Sequence, residues 1–402
     1  MKKIFYILLF IFSFLFYWGT GSGIENRTEA EDVFEYALMV EQGTDHPWFY
    51  HQHHLLYGPV TRGIYRGASA LGYDGRAIDL MRMVSALCAA GTLFFFFLFC
   101  YKRFSLRPVS SLISTLFLGA MYGFWRYSAE SEIPMIASFL ISTALYFATD
   151  EERKKKYFAL TVLFSVLAVS LHIMNTVAVF AAIPCFYLVR KRGKATLWHL
   201  VICGALLLAL YGAVSYCVDV HRSGGTRLSM IGLGAVFKGW IAFVECVISC
   251  DFMMGFRSVR AFLGELFAGR MLLEEFYFGT KLSRLHVLFS SLTILLFFSL
   301  LLSCIGRAFW VWKTMIAQRQ KFQLPRGLWA LISPFVFFFG YGMLLLFIEP
   351  GNPELWVMGL IPFALLFCGV VLLPLTFDNR LWLPFLMVLV LFVHNASAMW
   401  ML

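Results

Sequence analysis

Carboxylate side chains are concentrated in a polar stretch that follows the first apolar segment of the chain. Asp32 and Glu35 lie three residues apart, so a helix would place both on one face, with Tyr36 beside them. A carboxylate partly removed from water can take the proton of a hydroxyl as a general base. Thr28 and Glu31 match a capping box, which gives Glu31 a structural role. We expect Asp32 to be the base; a solvated acidic first turn is the alternative.

Histidines and a tyrosine follow in the same stretch. Four imidazoles lie within nine residues of sequence, at His46, His51, His53 and His54. Their spacing matches no metal-binding signature such as HExxH, so we expect neither a metal nor a cofactor here. We expect His53, His54 and Tyr57 to bind a phosphate or headgroup of the substrate. His172 breaks a later apolar run, where an ionisable group is a functional hypothesis by default and a helix-end cap is the alternative.

A second acidic site lies in the polar segment 125–134, between two apolar runs. Its arginine, Arg126, can bind a phosphate through two parallel hydrogen bonds. We expect Arg126 and Glu130 to bind substrate, and Glu132 or Glu35 to orient the base or the acceptor hydroxyl. A simple solvated turn is the alternative.

A third acidic site is the Pro-Gly-Asn-Pro turn that Glu349 and Glu354 enclose. We expect both carboxylates to bind substrate, because three acidic segments on one side of a membrane suggest a shared cavity. Arg62 and Arg66 are further sources of positive charge for a phosphate.

Composition requires these segments to be held by a membrane bundle. The chain has 402 residues, is 60% hydrophobic and only 14% charged, and has a mean hydropathy of +0.76. The net charge of +10 comes from short basic clusters between apolar runs, a pattern that points to cytoplasmic loops and not to nucleic acid. Nine cysteines without a CxxC pair indicate core or lipid-facing residues.

Apolar runs predict an all-α polytopic protein with about eleven membrane-spanning helices. The predicted spans are 4–18, 81–101, 110–125, 135–147, a hairpin of two helices over 157–189, 197–218, 286–305, 328–348, 356–373 and 381–398. Lys2 and Lys3 place the N-terminus in the cytoplasm; a cleaved signal peptide is the alternative to an uncleaved first helix. Basic loops at 102–107, 153–156, 190–194 and 307–326 are then cytoplasmic.

The whole chain, 1–402, is expected to form one membrane domain with two longer outer segments. The first, 21–79, carries the acidic motif. The second, 219–285, mixes apolar and charged residues and suggests amphipathic helices at the interface.

These motifs resemble those of the GT-C superfamily of membrane glycosyltransferases. Asp32-x-x-Glu35-Tyr36-Ala37 and His53-His54-Leu-Leu-Tyr57-Gly-Pro59 resemble the bacterial branch related to protein O-mannosyltransferases and lipid A aminoarabinose transferases. Glu130-Ser-Glu132-Ile-Pro134 resembles the second outer-loop acid motif of that branch. The histidines and leucines after the acid helix depart from its lysine and prolines, so the donor sugar does not carry over.

The resemblance implies an inverting transfer of a sugar from a polyprenyl-phosphate donor to a lipid, glycan or protein hydroxyl. The site would face the outside of a bacterial inner (cytoplasmic) membrane, among membrane lipids. Two other classes stay open: a non-catalytic scaffold of an envelope-assembly complex with the same fold, and a lipid or glycan transporter. A transporter would carry charges within several spans and matching halves, neither of which the sequence shows.

Overall fold

The protein, analysed as a computed structural model, is described over residues 2–21, 30–46, 49–51, 53–131, 133–150, 154–221, 252–267, 284–317, 326–348, 354–378 and 380–399. Every regular element in these ranges is helical, and none of them contains a β-strand. This agrees with the predicted all-α fold.

Fifteen helices of seven residues or more occur in the described ranges, and we number them in chain order. They are α1 Lys2–Thr20, α2 Ala30–Gln42, α3 Tyr57–Ala70, α4 Ala77–Leu98, α5 Pro108–Ala120, α6 Tyr122–Ala129, α7 Ile133–Ala148, α8 Lys155–Leu171, α9 Ile183–Val189, α10 Gly193–His221, α11 Phe252–Leu266, α12 Arg284–Ala317, α13 Ile332–Ile348, α14 Val357–Phe367 and α15 Trp382–Met399. Short 3₁₀ turns and single π-helical turns join or extend several of them.

Several of these helices are apolar and long enough to cross a membrane. Among the described residues five pass on length and composition, or six if the bent pair α5 and α6 counts as one span; four more apolar helices are shorter. A 17-residue helix reaches about 25 Å, less than the hydrocarbon thickness of a typical bilayer. The described part of the chain is therefore all-helical, with apolar helices that fit a membrane protein, while the predicted count of about eleven spans is not confirmed.

Helix α4 lies at the centre of the N-terminal half and packs against α1, α2, α5, α6 and α7. Its inward surface is built from small residues, Ala86, Ala89, Ala90 and Gly91, all buried. A Cβ on Gly91 would lie 2.6 Å from the ring of Phe139 on α7. Small residues let helix backbones approach closely, which is a main source of helix association in lipid.

The predicted span 110–125 is broken. Helix α5 ends at Ala120, Met121 adopts an extended conformation, and α6 leaves at an angle of 70°. Two side chains donate hydrogen bonds to the carbonyls at the break. Tyr17 Oη donates to the Gly119 carbonyl at 3.0 Å, and Asn395 Nδ2 donates to the Ala120 carbonyl at 2.7 Å. The segment after residue 121 is thus a buried helix where the sequence predicted an outer loop from residue 125.

The predicted break at His172 is confirmed. Helix α8 ends at Leu171, and a 3₁₀ turn, Ile173–Asn175, leads through the π-helical turn Ala178–Ala182 into α9. Together they form the hairpin of two short helices that the run 157–189 predicted.

Three basic loops meet at one end of the bundle. Arg103, just after α4, donates to Asp150 Oδ1 at 3.0 Å, and Arg192, between α9 and α10, donates to the Asp150 carbonyl at 2.9 Å. Since α4 rises about 33 Å from Ala77 to Leu98, the segments 30–46, 49–51, 53–76, 122–131 and 172–175 lie at the other end. The structure thus separates the basic loops from the acidic and histidine motifs.

Candidate functional site

The histidine turn docks on the tip of the α8–α9 hairpin. The Leu56 N–H donates to the Ser170 carbonyl at 2.9 Å, and the Ile173 N–H donates to the His53 carbonyl at 3.0 Å. These two backbone bonds hold the first long loop against the C-terminal end of α8. Residues separated by more than a hundred positions in sequence thereby form one site.

Four imidazoles gather where the two segments meet. The ring of His54 lies 4.7 Å from His172, 5.5 Å from His51 and 6.1 Å from His53, measured between ring centroids. His172 is buried and His53 is exposed, so the cluster runs from the interior to the surface. The structure therefore brings together His53, His54 and His172, which sequence predicted separately.

The buried imidazoles of this cluster are uncharged at neutral pH. Burial first, and the neighbouring imidazoles second, hold the pKa of His54 well below its usual value and lower the pKa of His172 to about 3. The His172 Nδ1 accepts a hydrogen bond from the Met174 N–H at 3.3 Å, so the neutral ring carries its proton on Nε2. These rings can offer a phosphate an N–H donor but no positive charge.

Within the described ranges no three His, Cys, Asp or Glu side chains are placed to hold a metal ion.

Helix α2 forms as predicted, and Glu35 on it has a partner in the same loop. Glu35 Oε2 lies 3.0 Å from Nε2 of the buried His46, while the Glu35 side chain is itself 45% exposed. Thr28 and the side chains of Glu31 and Asp32 fall outside the part of the chain that the structure describes. The assignment of Asp32 as base stays a prediction.

Arg62 stabilises the end of α2. Its Nη1 donates to the carbonyls of Val40 at 3.0 Å and Glu41 at 2.9 Å, and the guanidinium lies where a Cβ on Gly43 would be. Gly43 has a φ of +71°, the left-handed conformation that glycine adopts at helix ends. The arginine predicted to meet a phosphate thus fills a capping role in the loop.

Tyr57 is the first residue of α3 and is buried. Its ring meets that of Tyr36 edge-on at 5.4 Å, which fastens α3 to α2. Its N–H donates to the His54 carbonyl at 2.9 Å, so Tyr57 also holds the histidine turn.

Arg126 forms a second cluster, on α6. Its guanidinium lies 5.5 Å from the Tyr127 ring, and its Nε lies 3.6 Å from Glu130 Oε1. The side chains of Arg126 and Glu130 are only 5% and 16% exposed. The tertiary packing of the aromatic residues of α6 explains why this polar segment is interior and not a solvated turn.

A glutamate that the sequence did not single out packs against the same helix, α6. Glu265 of α11 is fully buried, and a Cβ on Gly123 would lie 1.5 Å from its Oε2. Gly123 and Arg126 are three residues apart on α6, so they share a helix face. On α11, Phe256 and Val259 are exposed whereas Ser258 and Glu265 are buried. Ala261 and Leu266, near its C-terminus, are buried as well, so large apolar side chains are exposed only in the first turns of the described part of this helix. No local sequence signal identifies Glu265, because its neighbour is a glycine of another helix.

The third acidic segment also approaches α11. Its last residues form the 3₁₀ turn Glu354–Trp356, and the Trp356 ring lies 5.1 Å from Phe262 of α11. Glu132 and Glu349 and the side chain of Glu354 lie beyond the described ranges, as do 222–251 and 268–283 of the second outer segment. The convergence of all three acidic segments therefore stays a prediction.

Comparison with known proteins finds no family model that matches this chain, and no curated protein matches it either.

Proposed function

We propose that the chain is a membrane glycosyltransferase of the GT-C type. It would move a sugar from a polyprenyl-phosphate carrier to a hydroxyl of a lipid, a glycan or a protein. The observation that carries the proposal is the buried Arg126 beside Glu130, at a 70° break in an apolar bundle. A fixed guanidinium in a site of low dielectric is what a lipid-linked phosphate leaving group requires.

The proposed reaction is a single inverting displacement. The acceptor oxygen forms a bond to the anomeric carbon of the sugar while the bond from that carbon to the phosphate oxygen breaks. The hydroxyl proton passes to Asp32, and the phosphate leaves with the electron pair. Arg126 would stabilise the charge that develops on the phosphate, and Glu130 and Glu265 would position the guanidinium.

The histidine cluster would serve the donor or the acceptor through hydrogen bonds. Its buried rings are neutral, so they suit hydroxyl groups of a sugar better than they suit a phosphate. In this proposal the positive charge comes from Arg126, because Arg62 is already used at the end of α2.

Turnover by purified protein in nanodiscs tests the proposal. The protein is incubated with a panel of polyprenyl-phosphate sugars and hydroxyl acceptors, and released polyprenyl phosphate is measured. Asp32→Asn should lower turnover by roughly 10²–10⁴-fold, the range for loss of a general base. Glu31→Gln should remain active because glutamine can complete the capping box. Asp74→Asn, in the exposed turn before α4, is the matched control.

Arg126→Lys provides the second variant. Lysine keeps the charge but loses the two-pronged geometry, so turnover should fall while the fold is retained. Full activity in Asp32→Asn, or loss in Glu31→Gln at unchanged melting temperature, would show that the base is another carboxylate. Full activity in Arg126→Lys would remove Arg126 from the site.

A non-catalytic scaffold of an envelope-assembly complex is the second candidate. The loop contacts of Glu35 with His46 and of Arg62 with α2 favour it, since both side chains are used to build the loop itself. A deletion strain separates the two candidates. Wild type and Asp32→Asn restore the envelope glycan equally well if the protein is a scaffold, and only wild type restores it if the protein is an enzyme.

A further inference from the structure

A cavity opens at the basic end of the bundle, away from the site described above. It has a volume of about 750 Å³ and lies among the end of α7, the start of α8 and the turn between α9 and α10. Its walls carry five basic side chains, Lys154, Lys155, Lys191, Arg192 and Lys194. This is a dense group of cations for a chain that is only 14% charged.

The acid in the cavity wall is already neutralised. Asp150 Oδ1 accepts from Arg103 Nη1 at 3.0 Å, and the two side chains are only 8% and 11% exposed. The neighbouring segment 151–153, with two glutamates and an arginine, lies outside the described ranges. The described wall therefore has a clear excess of positive charge.

Two helices begin at this cavity. Lys154 and Lys155 start α8, and Gly193 and Lys194 start α10. The first N–H groups of a helix have no partner within it, and the helix dipole makes this end positive. Neither helix has an acidic residue in its first turn. Lysines at these helix ends are repelled by the positive end of the helix dipole when no anion is bound. A bound anion offsets that repulsion and is attracted by both the lysines and the helix ends.

In the turn between α9 and α10, a lysine occupies a position whose backbone conformation favours glycine. Lys191 has a φ of +55°, and the bonds Lys191 N to Leu188 O, 2.9 Å, and Arg192 N to Tyr187 O, 2.8 Å, form a Schellman motif. Glycine is the usual residue at that position, because a side chain is strained in the left-handed region. The backbone thus does not require lysine, whereas an anion in the cavity would favour it.

The surroundings of the cavity suit a lipid. Trp198 lines it and is 58% exposed, and Leu197 and Val201 on the same helix are 62% and 49% exposed. Such an apolar outer face of α10 can hold acyl chains, while a tryptophan at the rim matches the headgroup level of a bilayer. Basic pockets between membrane helices on the cytoplasmic side are suited to phosphate-bearing lipid headgroups.

We infer that this cavity binds the phosphate-bearing headgroup of an anionic membrane lipid. The phosphate would lie against the first turns of α8 and α10, among Lys155, Lys191 and Lys194, with the acyl chains along α10. A soluble phosphate compound offers the same chemistry without the chains, and the experiment separates these two sources. The inference does not depend on glycosyl transfer.

Lipid binding to the purified full-length protein tests the inference. Affinities for phosphatidylglycerol and phosphatidylcholine are measured by native mass spectrometry in detergent, together with melting in each lipid. Wild type should prefer phosphatidylglycerol. Lys155→Gln with Lys194→Gln should weaken binding of that lipid about 25-fold, at roughly fivefold for each lysine. Lys102→Gln, an exposed lysine at the same end but not in the cavity wall, is the matched control and should change the affinity less than twofold.

Lys191→Gly keeps the test valid if the double variant does not fold. It should melt at least as high as wild type in phosphatidylcholine, because glycine relieves the left-handed backbone, yet bind phosphatidylglycerol about fivefold more weakly. Equal affinity of wild type for both lipids would overturn the inference, as would a double variant that behaves like Lys102→Gln. Displacement of the bound lipid by about 10 mM inorganic phosphate, with equal protection from melting, would assign the site to a soluble phosphate compound instead.

Discussion

Replacing His172 with asparagine separates two tasks that the imidazole combines in the structure. The His172 Nδ1 accepts a hydrogen bond from the Met174 N–H at 3.3 Å at the start of the turn Ile173–Asn175. Asparagine is among the best residues for that acceptor role. Its amide does not titrate, so the variant keeps the turn and loses only the proton-binding group.

The size of the expected effect follows from burial. The His172 side chain is 3% exposed, and burial lowers its pKa from 6.5 to about 3. The unfolded chain then binds a proton below pH 6.5 and the folded protein does not, so stability present above pH 6.5 is lost as the pH falls toward 3. The loss is about 1.4 kcal/mol for each pH unit below 6.5, or about 2 kcal/mol between pH 7.5 and 5.0.

Unfolding in mixed micelles of mild and denaturing detergent, at pH 7.5 and pH 5.0, measures this difference. The free energy of unfolding of wild type should fall by about 2 kcal/mol more than that of His172→Asn. His54, whose ring is 4.7 Å away and whose pKa is also lowered, remains in both proteins, so its contribution largely cancels. His53→Asn, at the exposed edge of the cluster, should keep most of the wild-type pH dependence, because burial is a larger cause of the lowered His172 pKa than His53 is. An equal pH dependence in wild type and His172→Asn would refute the assignment of a buried, neutral imidazole.

Three further outcomes are expected. Arg62→Ala should lower stability by about 1–2 kcal/mol, measured by the same unfolding assay, because two carbonyls at the end of α2 lose their donor; an unchanged midpoint would contradict the capping role. Asp150→Ala should lower it by about 1–3 kcal/mol, since the largely buried Arg103 loses its carboxylate partner and keeps only the Tyr146 carbonyl, and Arg103→Met in the same chain should recover part of the loss. A cysteine at the exposed Thr44 should react with an impermeant thiol reagent in intact cells and one at Lys102 should not; the reverse pattern would invert the topology.

Apolar runs and short polar motifs predicted the parts of the fold that depend on local sequence. The all-helical class, the helix around Glu35 and the break at His172 all follow from composition, capping and charge along a short window. The break at Met121 does not, because no proline or charge marks it. Tyr17 and Asn395, from distant helices, satisfy the carbonyls there, so the cause of the bend is tertiary.

The candidate site likewise combines features that local sequence predicts with features that only tertiary contacts produce. The sequence singled out the histidines because of their residue type and did not predict that they lie together. In the structure, backbone hydrogen bonds between the first long loop and the α8–α9 hairpin bring His172 to the other histidines. From the sequence alone, Arg62 and Arg126 have the same possible role, because both are arginines near acidic residues. Only the contacts of Arg62 with Val40 and Glu41 distinguish a helix cap from a buried guanidinium. Glu265 was missed because its burial depends on a glycine in another helix.

Gly123 lies so close to Glu265 that substitutions at these two positions, far apart in the chain, should be correlated in evolution. A Cβ at residue 123 would lie 1.5 Å from Oε2 of Glu265, so the Glu265 carboxylate must move if residue 123 is not glycine, unless residue 265 is smaller. Among descendants of this sequence, a change at residue 123 should follow or accompany a change at residue 265. Glu265 is thus expected to persist only in lineages that retain Gly123, and the pair provides an evolutionary marker for the packing of α6 against α11.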